Sequence, residues 1–352
     1  MKQLKFSLLA IATVITFFSC KKNDAPVPSI PKITAGVYVL NEGSGGNNTT
    51  ITFYDFKTGT PVTDIYKNVN GSGLGDTGND IIINGSKMYI VMNVSGYLEV
   101  ADASTAKSIK YIDLKNAGKS IQPRYIVAYK NKVLVSSTDG TIAVVDTTSL
   151  SVEKFITAGK NPEQIVVIGD KLFVCNSGGY TPGYDSTISV INLNTLTETS
   201  KIVVGTNPTA ITTDNNGNIF VGCAGNYGSI LPKLVKVDIN NNAIAKTLNI
   251  SSSKLRFYKG MIYSIGYGLS VVKTINPADL SIASANFVTD GTTIITPYAL
   301  NIDETTGDVY VGDAKDYQSP GIVYCFDNLG KLKFKFSTTP GLNPNTIVFI
   351  RK

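Results

Sequence analysis

From residue 36 onward the chain alternates short apolar runs with clusters of Gly, Asn, Asp, Thr and Pro, and no stretch carries the spacing of a long amphipathic helix. An aromatic residue or Leu sits between apolar neighbours at Tyr38, Tyr89, Leu134, Phe173, Phe220, Tyr263 and Tyr310, at intervals of 39 to 51 residues. The strand that follows each of them closes on an acid or amide: Asp55, Asp102, Asp146, Asn192, Asp238, Asn276 and Asp327. A period of this length in an all-β sequence predicts a β-propeller, here of seven blades.

The fourth unit displays the pattern most clearly. Residues 165–167, 172–175, 188–191 and 201–204 read as its four strands, separated by turn residues such as Gly169-Asp170. The second strands are apolar at consecutive positions instead of alternating, which predicts burial on both faces, as in a blade sandwiched between two others. The recurring Asp or Asn is read as a turn cap, because its side chain accepts hydrogen bonds from the amides of the next turn. At the ends of the repeat, residues 36–40 match a second strand and residues 346–350 match a first strand. The C-terminal strand is therefore expected to complete the first blade and close the ring.

Upstream of the repeat, Lys2 and Lys5 precede an apolar stretch at 6–18 that is too short to span a bilayer. The segment 1–19 is read as an export signal, Cys20 as a lipidated N-terminus, and 20–34 as an anchored, flexible tether before a propeller at 35–352. The run "FFSC" followed by "KKNDAPVPSIP" resembles a bacterial lipoprotein signal, with Phe17 in place of the usual Leu. This predicts an outer-membrane or cell-surface protein held by its lipid. Cys175, Cys223 and Cys325 lie in or beside apolar strands and read as buried, unpaired thiols. The net charge of +6 is scattered along the repeats without a basic run, so nucleic acid is not an expected partner.

Absences narrow the chemistry. There is no His, which removes the usual general base, His-type metal sites and nucleophilic triads, and no Trp, which removes the signature of WD40 repeats. No phosphate-binding glycine motif opens a helix. "STDGT" at 137–141 reads as a turn. No cofactor, metal site or catalytic residue is assigned, and the expectation is a protein that is not an enzyme, with calcium in the loops left open. What the chain offers is a set of long loops: "NEGSGGNNTT" from Asn41, "NSGGYTPGYDST" from Asn176, "AGNYGSILPK" from Ala224 and "DAKDYQSPG" from Asp313. In a propeller these share one face with the starts of the inner strands. Pro123, Pro162, Pro208, Pro297 and Pro344 mark those starts, placing Arg124, Glu163, Thr209, Tyr298 and Asn345 at the channel mouth. Arg124, Tyr180, Tyr184, Tyr227, Tyr298 and Tyr317 are the candidate ligand-binding residues, since Tyr offers apolar area with a hydrogen-bonding tip and Arg can pair with a phosphate.

"YVLNEG" at 38–43, "YIVMNVSG" at 89–96, "FVCNSG" at 173–178, "GKNPEQIVV" and "GTNPTAITT" resemble the YVTN-type, YncE-like propellers. "NGSGLGD" and "PRYIV" are similar to the Bacteroidetes lipoprotein propellers that carry a domain of unknown function, among them BtuG-like proteins. That resemblance implies a surface protein capturing cobalamin, or another large polar molecule, for an outer-membrane transporter. Alternatives are an adhesion module that binds proteins or glycans and, behind it, a lactonase- or lyase-type propeller.

Overall fold

A computed structural model describes residues 33–179, 183–214 and 216–351. The leader, Cys20, nearly all of the tether, and Tyr180 lie outside the described residues.

Seven four-stranded antiparallel sheets follow one another along the chain. Six are built from consecutive strands in the order inner to outer. The fourth is typical: Pro162–Ile168, Lys171–Asn176, Thr187–Asn192 and Thr197–Val203. Its bounds enclose those read from the sequence, except that the outer strand begins earlier, at Thr197, and ends at Val203. The first blade is composite. Its three outer strands are Thr34–Asn41, Thr50–Asp55 and Thr60–Val62, and its inner strand is the C-terminal Pro344–Arg351. Tyr38 pairs with Val348 and Thr34 with Arg351, so the strand starts a residue before the expected boundary at 35. The closure inferred from the matching ends is present.

Burial explains the consecutive apolar runs. Val37 to Leu40, Met88 to Met92 and Leu172 to Cys175 are almost wholly excluded from solvent. Apolar side chains gather in seven clusters, one at each interface between neighbouring blades. A strand buried on both faces cannot alternate. The one α-helix among the described residues, Ile65–Asn70, is a short six-residue element between the first two blades, capped by Asp64 and ended by Gly71.

The repeated acid or amide acts as the turn cap expected of it. Asp146 Oδ1 accepts from the amides of Thr148 (2.9 Å) and Ser149 (2.7 Å), Asn192 and Asp238 repeat the arrangement, and Asp327 accepts from the amides of Leu329 and Lys331. Asp139 of "STDGT" likewise accepts from the backbone and hydroxyl of Thr141. Cys175, Cys223 and Cys325 are free and buried, and burial pushes the thiols of Cys223 and Cys325 up to about 12. They behave as small hydrophobes.

Candidate functional site

Each inner strand starts at the same face of the ring, and the backbone there turns sharply. Thr77, Gln122, Asn161, Asn207 and Asn343, each just before an inner strand, have φ between 47° and 60°. This left-handed region is most accessible to Asn among residues with side chains, which accounts for three of the five. Pro then fixes the first position of five strands. The next residue faces the axis. One side chain per blade, Asn79, Arg124, Glu163, Thr209, Lys254, Tyr298 and Asn345, therefore lines a common cavity of about 280 Å³.

The ring is held by polar contacts between blades. Arg124 donates through Nε and Nη2 to Glu163 Oε2 at 3.2 and 2.9 Å and through Nη1 to Asn79 Oδ1 at 2.6 Å. Asn161 donates to the other oxygen of Glu163 at 3.1 Å. Asn345 donates to the Asn79 carbonyl at 2.8 Å, which turns its own Oδ1 toward Lys254 Nζ, 2.9 Å away. The Tyr298 hydroxyl donates to Glu42 Oε2 at 2.6 Å. Burial and the Glu42 charge push that phenol well above its ordinary range. Two cations make cation–π contacts with the ring of Tyr125, Arg124 at 5.6 Å and Lys254 at 5.5 Å.

Above this polar basin stands an apolar lip. Tyr227 (59% exposed), Tyr267 (57%), Ile295 (59%) and Tyr317 (41%) border the cavity and remain open to solvent. Tyr227 and Tyr317 sit in equivalent short turns, Asn226-Tyr-Gly-Ser and Asp316-Tyr-Gln-Ser. In each, the Asx side chain accepts from backbone amides ahead of it and the tyrosine adopts a left-handed φ of 56° or 64°. Gly225 makes the first turn feasible, because a Cβ there would lie 2.0 Å from the Ile230 carbonyl. Bulky residues rarely occupy that region, so the turns hold each tyrosine in place at some conformational cost.

Of the six candidates, Arg124, Tyr227, Tyr298 and Tyr317 line the cavity. The Tyr298 and Tyr317 rings meet edge to face at 5.8 Å. Tyr184 does not line it; half-buried, it packs against Tyr227 at 6.3 Å and supports the lip from behind. Arg124 is engaged by Glu163 and Asn79, so it builds the wall rather than standing ready for a phosphate. Sequence reasoning missed Lys254, Tyr125 and Tyr267. The Pro-x signal that marked five inner strands is missing where the sequence reads "GND" at 78–80 and "SSK" at 252–254, which hid Asn79 and Lys254. The paired turns "NYGS" and "DYQS" were a usable signal for Tyr227 and Tyr317.

Below the basin the channel continues into a second chamber of about 190 Å³, which shares Tyr125 and Lys254 with the first. Asp80 and Arg256 face it. Burial pushes the Lys254 ammonium down to about 8, against the pull of Asp80, and lowers Arg256 in the same way. Asp80 is raised by burial, opposed by backbone donors and by both cations. Among the described residues no group of acids, cysteines or histidines is arranged to hold a metal ion, and no helix is long and apolar enough to cross a membrane.

No curated protein matches this sequence. Solved structures with the same fold include a quinoprotein alcohol dehydrogenase-like protein of Bacteroides thetaiotaomicron (TM-score 0.65, 16% identity, covering 90% of this chain and 79% of that chain). The computationally designed protein Ika8 is similar over 91% of this chain and 92% of its own (TM-score 0.59, 16% identity). Hydrazine synthase of Kuenenia stuttgartiensis is similar over 69% of this chain and 74% of its own (TM-score 0.56, 19% identity). At these identities the likeness concerns the fold alone. A family model described as a domain of unknown function, DUF5074, matches residues 35–338, everything from the first blade to the strand before the closing one, and the chain belongs to that family.

Proposed function

We propose that this protein is a binding protein, not an enzyme, that takes a large polar ligand over the mouth of its central channel. The observation that carries this reading is the stacking of an exposed aromatic and aliphatic lip on a polar basin, both on one face. Such a face suits a molecule with an apolar body and several hydrogen-bonding groups. A basin of about 280 Å³ is far smaller than a corrinoid, so a ligand of that size would rest on Tyr227, Tyr267 and Tyr317 and insert only a substituent. Both carboxylates that border the basin are already hydrogen-bonded, Glu163 to Arg124 and Asn161, Glu42 to Tyr298. That arrangement favours recognition over acid–base work.

Within this reading the ligand is cobalamin or a similarly decorated ring, captured at the cell surface by a chain lipidated at Cys20 and passed to an outer-membrane transporter. The test is a calorimetric titration of cobalamin into residues 21–352. Saturable one-to-one binding, lost when lip tyrosines are truncated, is the expected result. The absence of any heat or thermal stabilisation, together with retention of proteins or glycans from the cell envelope, would instead favour an adhesion module whose contact surface includes the exposed Ile230 and Leu231 beside the lip.

A further inference from the structure

The lower chamber contains two cations and one carboxylate, and the carboxylate is occupied. Asp80 Oδ2 accepts from the Ile126 amide at 3.1 Å, and Oδ1 accepts from the Ile81 amide at 3.0 Å and the Thr346 hydroxyl at 3.3 Å. Lys254 donates to the amide oxygen of Asn345. Arg256 donates through Nε to Asn301 Oδ1 at 3.2 Å and through Nη1 to the Leu255 carbonyl at 2.9 Å. Both amides are locked in that orientation, because Asn345 and Asn301 each use their NH2 group on a backbone carbonyl, of Asn79 and Ile347 respectively. Among the described residues, neither Lys254 nor Arg256 belongs to an ion pair. Neutral oxygens thus position two cations beside a void, and the chamber's own lining carries one positive charge in excess, with Glu42 the next carboxylate, outside that lining. Enclosed charge of this kind is costly unless a counter-charge joins it.

We infer that the neck of the channel is a site for a small oxyanion, a carboxylate or phosphate group, received between Lys254 and Arg256. The inference rests on the proposed ligand-binding face and specifies what the inserted substituent carries. A single anionic group would neutralise the excess charge, and both donors are charge-assisted. Binding is coupled to the proton on Lys254. The charged and titratable groups around that amine are Asp80, Glu42, Arg124 (itself paired with Glu163), Arg256 and Tyr125. Below about pH 8 the amine is charged and the anion is attracted. As pH rises through that value the proton leaves, the excess charge disappears and affinity falls.

The experiment titrates the full-length protein, solubilised in detergent, with sulfate, whose charge is constant across the range, and reads binding by calorimetry from pH 6.5 to 10 at fixed ionic strength. Affinity is expected to fall at least tenfold between pH 7 and 10, to be lost in Lys254→Met, and to survive with a flat pH profile in Lys254→Arg, which keeps the charge. Sulfate that binds no better than chloride at pH 6.5, or a wild-type profile without pH dependence, overturns the inference without recourse to any variant. Phosphate and acetate arms, repeated in the presence of cobalamin, distinguish the source of the anion. Competition means that the large ligand carries the group into the neck. Simultaneous binding identifies a separate site for a free ion. Sulfate binding without any cobalamin binding would sustain the anion site and refute cobalamin as the ligand.

Discussion

At the scale of single residues, the face of this propeller divides labour between groups that build the wall and groups that are offered outward. Arg124, Glu163, Asn79 and Asn345 satisfy one another across blade boundaries, so their loss would leave buried polar atoms without partners. Tyr227 and Tyr317 are different: held by Asx turns in left-handed backbone, they remain exposed to solvent. Truncating each to Ala should weaken ligand binding by about 1–2 kcal/mol, roughly tenfold, while the melting temperature stays nearly constant. Tyr184→Ala should have a smaller effect, because it acts through the Tyr227 ring. Isothermal titration and thermal melting of the three variants check this, and unfolding with retained affinity would mean that the lip is structural.

At the scale of the strand and blade, stability depends on neighbours. Every second strand is buried on both faces, and each apolar cluster is shared between two blades, so no blade has a core of its own. The C-terminal strand Pro344–Arg351 is the inner strand of the first blade, with Ile347 and Ile350 buried and Phe349 packed edge to face on Tyr310 at 5.1 Å. Removing residues 344–352 should expose the inner edge of Thr34–Asn41 and the shared clusters on both sides. The expected loss is comparable to the about 5–15 kcal/mol that holds a domain together. A circular-dichroism melt of the truncated chain should show no cooperative transition above room temperature. A transition close to that of the intact protein would show that closure is dispensable.

For the whole molecule, closure of the ring and the proposed lipidation at Cys20 concern different parts of the chain. The strands of the ring begin at Thr34 and close on Arg351, and the proposed lipid site at Cys20 lies outside them. Cys20→Ser should therefore release the protein from the membrane fraction with its melting temperature unchanged. Membrane association that persists in this variant would place the anchor elsewhere.

The sequence determined the architecture because repetition carries the same physical message seven times. Consecutive apolar residues require burial on both faces, the recurring Asp or Asn requires a turn, and the mismatch between the first and last strands requires closure. It also placed Arg124, Glu163, Thr209, Tyr298 and Asn345 around one axis, since Pro marks where each inner strand begins. Only the tertiary structure decided which of these groups remain available to a ligand. Lys254 and Arg256 lie on one of the two inner strands whose starts lack Pro, and Asp80 on the other, so no local signal brings the three together. Arg124, the obvious cation in the sequence, is taken up by a Glu163 one blade away. Charge balance in the channel is a sum over side chains from separate blades, and such a sum exists only once the ring has closed.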